Sequence, residues 1–384
     1  MTAFAAFDHQ PRTRVVFGVG MVEQAGELAV EIGIKKALLV TDPGVVAAGH
    51  MERVRQTLLR AGIEPQLFGQ VRENPTTRDV DDCLQAARAG AIDGIIGLGG
   101  GSSMDTAKGC NFLLTNGGRM QDYWGVSRAA RPMLPLIAIP TTSGTGSECQ
   151  SFALIADEVT HQKMACGDPK AAARIAILDP ALTLSQPARV TACTGVDALS
   201  HALETAVTKK RNAISLAYSR EAFRLCSTCL PRVFQNGDDL EGRAGMLLGA
   251  ALAGLAIENS MLGAAHAAAN PLTAHFNIPH GHAVGLMLPL VVRANAEDLE
   301  TARLYETLEA GPLNRLLSRL DGLLNLAGIP RSLADCGVST DVIPSLAAEA
   351  AKQWTAAFNP RTLTEADFAR LYDAAFQKRG SGAL

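Results

Sequence analysis

At 384 residues the chain exceeds what one hydrophobic core usually organises and suits two domains, each burying a substantial apolar interior. Its 35 basic and 38 acidic residues leave a formal charge of −3, which supplies no broad positive field for nucleic acid or an anionic membrane surface. Eight widely spaced cysteines fit a reduced cytoplasmic protein better than a disulfide scaffold, and neither the charged N-terminal segment nor the glycine-broken apolar run at 244–257 reads as a signal or a membrane span.

From about residue 35 to 180, short apolar runs alternate with amphipathic ones. Residues 37–41, 64–68, 94–98, 134–139 and 174–178 are predicted strands with helices between most of them, and the polar stretch 156–163 between two apolar runs suits a hairpin insertion. This alternation predicts an α/β domain with a doubly wound, mostly parallel sheet, whose ligands gather beyond the carboxyl ends of the strands. After Pro187 the composition turns to Ala and Leu, and 191–208, 215–229, 241–255, 261–276, 312–327 and 364–378 are predicted helices. The boundary falls near 185–189, giving a nucleotide-binding α/β domain over 1–186 and an all-α domain over 187–384.

The strand at 94–98 runs into Gly99, Gly100 and Gly101, then Ser102 and a helix-compatible stretch. Glycines let a backbone approach a pyrophosphate closely, and a helix N-terminus presents free N–H groups to it. The pattern is not Gly-x-Gly-x-x-Gly, and a plain strand-to-helix turn is the alternative. Asp42 ends the strand at 37–41, where a carboxylate can bond an adenosine ribose and repel a 2′-phosphate, favouring NAD over NADP; equally, it can cap a helix ahead of Pro43. A second loop, 140–148, follows another strand with the hydroxyls of Thr141, Thr142, Ser143, Thr145 and Ser147, a composition suited to lining a ligand.

In the helical half, Asp197 and His201 stand at i and i+4, on one face of a helix and one turn apart. His266 lies in an alanine-rich segment and His280 opens a Pro- and Gly-bounded turn, Pro279-His280-Gly281-His282. Three imidazoles and one carboxylate would suit Fe(II) or Zn(II) and poorly suit Mg or Ca; separate structural histidines are the alternative. Four of the eight histidines fall between positions 266 and 282. Cys226 and Cys229, one helical turn apart, read as packing thiols.

As a set these residues resemble the iron-containing alcohol dehydrogenase family over about 16–376. The matching motifs are Asn74-Pro75, the glycine run with Asp105 and Lys108, the 140–148 loop, Asp197 to His201 with Glu204, Gly263 with His266, Pro279-His280-Gly281, and Asn359-Pro360-Arg361. The resemblance implies that Asp197, His201, His266 and His280 bind the metal and that Gly99, Gly100, Gly101 and Ser102 hold the pyrophosphate. Asn74, Asp105, Thr141, Thr142, Thr145, Lys163 and Leu182 would serve the rest of the dinucleotide, with Asp42 where an acid accompanies NAD preference. Phe152 and Ile257 would line an apolar substrate pocket.

The sequence departs from that family at three positions. Asn270, placed by the resemblance in the substrate pocket, stands where a further histidine, thought of as a proton relay, is usual; His282 replaces an apolar residue and is either a substitute proton path or a solvated bystander; Ala206 replaces a larger side chain. The implied activity is metal-dependent, NAD-linked interconversion of a short alcohol, diol or hydroxy acid with its aldehyde or ketone, by a dimer or larger homo-oligomer. A hydroxyacid-oxoacid transhydrogenase, a maleylacetate-reductase-like enzyme and an inactive nucleotide-binding regulatory protein are the alternatives.

Overall fold

The computed structural model describes residues 6–160 and 162–377. Its described residues divide into two compact units, one spanning Gln10–Gln186 and the other made of 187–377 together with 6–9.

The first unit contains, in chain order, β1 (Arg14–Phe17), α1 (Ala25–Glu31), β2 (Ala37–Val40), α2 (Pro43–Ala47), α3 (His50–Arg60), β3 (Gln66–Phe68), α4 (Thr77–Gly90), β4 (Gly94–Gly99), α5 (Gly101–Asn116), β5 (Gly125–Val126), β6 (Leu136–Pro140), β7 (Phe152–Ala156), β8 (Lys163–Gly167) and β9 (Ile175–Leu178). Six strands form one sheet in the order β1-β9-β6-β4-β2-β3, every neighbouring pair parallel. Successive side chains alternate between two apolar layers. Leu39, Ile96, Leu98, Ile137 and Ile139 pack in one, and Leu38, Val40, Ile95, Leu136 and Ala138 in the other. Burial on both faces makes these strands read as continuous apolar runs. The chain passes outward from β2 to β3 and then returns to β4 on the other flank of β2, so the winding reverses at the carboxyl ends of β2 and β4. Strands β7 and β8 form the expected antiparallel hairpin, which joins β5 in a small second sheet.

The second unit holds α6 (Ala188–Val207), α7 (Ala213–Gln235), α8 (Leu240–Asn259), α9 (Ala264–Phe276), α10 (His280–Asn295), α11 (Leu299–Glu309), α12 (Leu313–Leu326), α13 (Ile343–Lys352) and α14 (Glu365–Phe376). Its core is built from Ala, Leu and Val of these helices. The expected turn at His280 is instead the start of α10, because the Pro279 and Gly281 signals precede an apolar stretch long enough to continue as helix. The run at 244–257 lies within α8, in line with the helix expected over 241–255, and that helix is long and apolar enough to cross a membrane by length and composition alone. Its glycines serve packing: a Cβ at Gly245 would stand 2.2 Å from Cys229 Sγ, and one at Gly249 2.7 Å from Cys226 Sγ. The two thiols therefore fill the α7–α8 contact. The helix expected at 364–378 ends at Phe376, and Lys378 lies outside the described residues.

Candidate active site: a phosphate cradle and a metal centre

In the α/β unit, β4 and β6 end side by side, with Gly99 opposite Pro140 and the Thr141 N–H donating to the Gly99 carbonyl at 3.0 Å. The glycine turn and the 140–148 loop thus leave the sheet together. Gly99 has φ +144°, and a Cβ there would meet Ser103 Oγ at 2.5 Å and Asp42 Oδ2 at 3.0 Å; this is one position where only glycine is comfortable. Gly100 caps α5 without a side chain, so the first-turn N–H groups of a 16-residue helix have no side-chain acceptor at the cap. A Cβ at Gly101 would lie 2.8 Å from Thr145 Cγ2 and one at Gly100 3.4 Å from Thr142 Cγ2, which puts the threonines directly over the turn. Helix N–H groups without a side-chain cap, a favourable dipole end and surrounding hydroxyls suit an anion.

Asp42 takes the helix-capping role considered for it. Its Oδ1 caps α2 by accepting from Val45 N (3.0 Å), while its Oδ2 accepts from Ser103 Oγ (3.2 Å) beside Gly99. Asn74, at φ +54°, donates its backbone N–H to Ser102 Oγ (3.3 Å). Lys163 is exposed at the start of β8, and the Phe152 ring lies over Gly167, where a Cβ would come within 2.3 Å of it. Leu182, expected at the dinucleotide, has its side chain fully buried in the apolar layer with Ile139 and Ile177.

Asp105, also expected near the dinucleotide, is engaged within the protein. It is buried and accepts from Ser147 Oγ (2.7 Å), and Ser147 in turn receives the fully buried Lys108 ammonium on Oγ (2.8 Å) and on its carbonyl (2.6 Å), with the Phe152 carbonyl a third acceptor (2.9 Å). Asp105 therefore locks the threonine loop to α5. Burial raises its pKa, and the nearby Lys108 charge opposes that rise. Next along the loop, Glu148 is buried with Oε1 lacking a hydrogen-bond partner among the described residues. Burial pushes it up to about 7, against its own backbone hydrogen bond and the Lys108 charge.

The helical unit brings three of the four expected ligands, Asp197, His201 and His266, into one close group, with His280 beside it. His201 Nε2 and His266 Nε2 are 3.0 Å apart, and Asp197 Oδ1 lies 3.4 Å from each and 4.0 Å from His280 Nε2. Asp197, His201 and His266 are buried and His280 is half-buried. A Cβ at Gly281 would stand 2.0 Å from the Cys193 carbonyl, so glycine there allows α10 to start hard against α6 and delivers His280 to Asp197. Asp197 Oδ1 has no hydrogen-bond partner among the described residues. A buried carboxylate oxygen is rarely left so unless a cation completes it. Spacings of 3.0–3.4 Å match donors held at roughly 2 Å from one ion. The residues fit a borderline-soft divalent metal.

Burial disfavours the His266 cation, yet Glu204 and Asp197 overcome that and raise it to about 9. Asp197 is driven the other way, well below the ordinary carboxylate range, because the three imidazoles outweigh its burial. Glu204, which the sequence shows only as part of a motif, accepts through Oε2 from His266 Nδ1 at 2.5 Å, which leaves Nε2 for the ion. Its position, one turn beyond His201, was the available signal.

The remaining expectations are less central to the site. Ile257 is buried near the end of α8. Asn270 donates to Gln353 Oε1 (3.0 Å). His282 is neither a solvated bystander nor aimed at the ligand group: it is buried, and Nε2 pairs with the Pro330 carbonyl at 2.8 Å. Ala206 is wholly enclosed in the helical core.

A parallel-sheet unit with an anion cradle and a helical unit with a carboxylate and three imidazoles define a metal-dependent dehydrogenase. Residues 11–180 match the model of the iron-containing alcohol dehydrogenases, and 191–376 match the C-terminal model of the Fe-containing alcohol dehydrogenase family. The chain belongs to the iron-containing alcohol dehydrogenase family and is an alcohol oxidoreductase. It is 34% identical over 366 residues to the NAD-dependent methanol dehydrogenase of Bacillus methanolicus, covering 93% of this chain and 96% of that one. The crystal structure of a 1,3-propanediol oxidoreductase matches with TM-score 0.91 and 33% identity over 97% of this chain and 100% of that one. Sulfoacetaldehyde reductase from Bifidobacterium kashiwanohense, solved with NAD+, matches with TM-score 0.90 and 25% identity over 98% and 100% of the two chains.

Proposed function

We propose that this chain is an NAD-linked, Fe(II)-dependent enzyme, able to accept Zn(II), that interconverts a short primary alcohol, diol or hydroxy acid with its aldehyde or ketone. The observation that carries this reading is Asp197 Oδ1, without a hydrogen-bond partner among the described residues, facing three imidazole nitrogens. When bound, the ion supplies Lewis acidity toward the alcohol oxygen and the nicotinamide supplies a hydride acceptor. Gly100, Gly101 and Ser102 offer the start of α5 to the pyrophosphate, and the Asp42 carboxylate beside Gly99 disfavours a 2′-phosphate, which supports NAD over NADP. Glu204 orients His266. Asn270 holds a non-titrating amide tied to Gln353, so it does not carry a proton. Small substrates are supported by relatives named for methanol, 1,3-propanediol and sulfoacetaldehyde. Eight free cysteines support a reducing, cytoplasmic setting, and the exposed Val15 and Phe17 on edge strand β1 support self-association.

The test is NADH formation across a panel of short alcohols, and its reverse with aldehydes, using protein stripped of metal and reloaded with Fe(II) or Zn(II). Turnover should require the metal and vanish in Asp197→Ala. Turnover that survives chelation, or none in either direction with either metal, would overturn the proposal.

A further inference from the structure

The Asn359-Pro360-Arg361 motif has no part in the chemistry described so far, yet it reaches the metal centre through the start of α9. That helix begins at Ala264, two residues before His266, and its first free N–H groups meet buried side chains from distant parts of the chain. Ala264 N donates to Asn359 Oδ1 (3.2 Å) and Ala265 N to Glu204 Oε1 (2.7 Å). A Cβ at Gly263 would fall 3.0 Å from Asn359 Oδ1 and 3.1 Å from Glu204 Oε1, so glycine there lets both groups close on the helix end. Glu204 uses its second oxygen for His266 Nδ1.

Asn359, 1% exposed, is held as firmly as it holds. It pairs reciprocally with Asn295 of α10: Asn295 Nδ2 donates to Asn359 Oδ1 (3.0 Å) and Asn359 Nδ2 donates to Asn295 Oδ1 (2.7 Å). A second donation runs from Asn359 Nδ2 to the Arg361 carbonyl (2.8 Å). The Arg361 guanidinium reaches the Ala294 carbonyl and pairs with Glu297 at 2.9 Å. Both lone pairs and both protons of the Asn359 amide are thereby used, a demand that no aliphatic side chain meets and that aspartate meets only in part. The clamp joins α6, α9 and α10, the three helices that carry Asp197, His201, His266 and His280.

We propose that Asn359, seated by Asn295, is a positioning residue for the metal centre: it fixes the first turn of α9 so that, with Glu204, His266 Nε2 is aimed at the ion. The inference rests on the metal-site reading above. Outer-shell partners of metal ligands typically contribute 10- to 100-fold in affinity, because a ligand free to rotate must be ordered when the ion binds.

The test measures Zn(II) affinity of metal-stripped protein by competition with a chromophoric chelator, and records the visible spectrum of the Co(II) form. Asn359→Ala and Asn295→Ala are compared with Leu320→Ala, a truncation of a buried α12 core residue that lowers stability without touching the clamp. Both asparagine variants should bind Zn(II) about 10- to 100-fold more weakly and show an altered Co(II) spectrum, while Leu320→Ala melts earlier yet binds as the wild type does. Wild-type affinity in the asparagine variants, or an equal loss in Leu320→Ala, would overturn the inference while leaving the metal site standing. If Asn359→Ala does not fold, Asn295→Ala alone decides. Wild-type protein that binds neither Zn(II) nor Co(II) would remove the metal-site reading and this inference together.

Discussion

Glu148 offers a pH-dependent test of how the threonine loop is held. Its carboxyl is 1% exposed, one oxygen has no partner among the described residues, and burial pushes it from 4.5 up to about 7. The folded state therefore holds the proton more tightly than the unfolded chain, so the contribution to stability is fully present below about pH 4.5 and is lost as pH rises through about 7. A change of that size corresponds to ~3 kcal/mol. In a unit the size of Gln10–Gln186, this is a fall in melting temperature on the order of 10 °C. Glu148→Gln cannot ionise. Its amide meets the same partnerless surroundings, so the variant should match or fall below wild type near pH 5 and exceed it near pH 8. Scanning calorimetry of both proteins across that range, read at the transition of the α/β unit, gives two curves that cross. Parallel curves would refute the reasoning, because they would mean that the Glu148 carboxylate is solvated or paired when ionised.

Two further substitutions probe the same unit. Lys108→Met removes the ammonium that joins the Ser147 and Phe152 carbonyls and strands the buried Asp105; breaking a buried charged network at one member costs about 3–5 kcal/mol, readable by thermal melts, with the KM for NAD rising as the loop loosens. Adding Asp105→Asn should recover part of that loss, and additive effects of the two changes would argue against the network. Gly101→Ala adds a Cβ that would meet Thr145 at 2.8 Å. The better helix propensity of alanine, worth up to ~1 kcal/mol, offsets part of the strain, so stability should change little while NADH affinity, followed by fluorescence titration, falls about tenfold for a cost of ~1.4 kcal/mol. Unchanged affinity would show that Thr145 moves aside freely.

What the sequence makes legible here is what one element can encode by itself. The strand at 94–98 is plain because a strand buried on both faces reads as an unbroken apolar run and its end is marked by glycines; β1 goes unread because at the sheet edge Arg14, Val15 and Phe17 are exposed and leave no such run. Asp197 and His201 are legible as a pair because one helix carries both, and Glu204 could have been added by the same spacing. Matching by motif finds the right segment without saying which way a side chain faces. It points Asp105 and Leu182 toward a ligand but cannot show that the Asp105 side chain grips Ser147 or that the Leu182 side chain lies in the apolar layer. Motif matching picks out Asn359, but its pairing with Asn295 lies beyond both kinds of reading. The two residues stand 64 positions apart, and their partnership arises only when α9 and α10 are packed, because the unmet N–H groups at the start of α9 demand buried acceptors that the helix itself cannot provide. The ligands of a metal centre can be found from local spacing, but the groups that aim them answer to the unsatisfied backbone of neighbouring helix ends, and that is where to look for them.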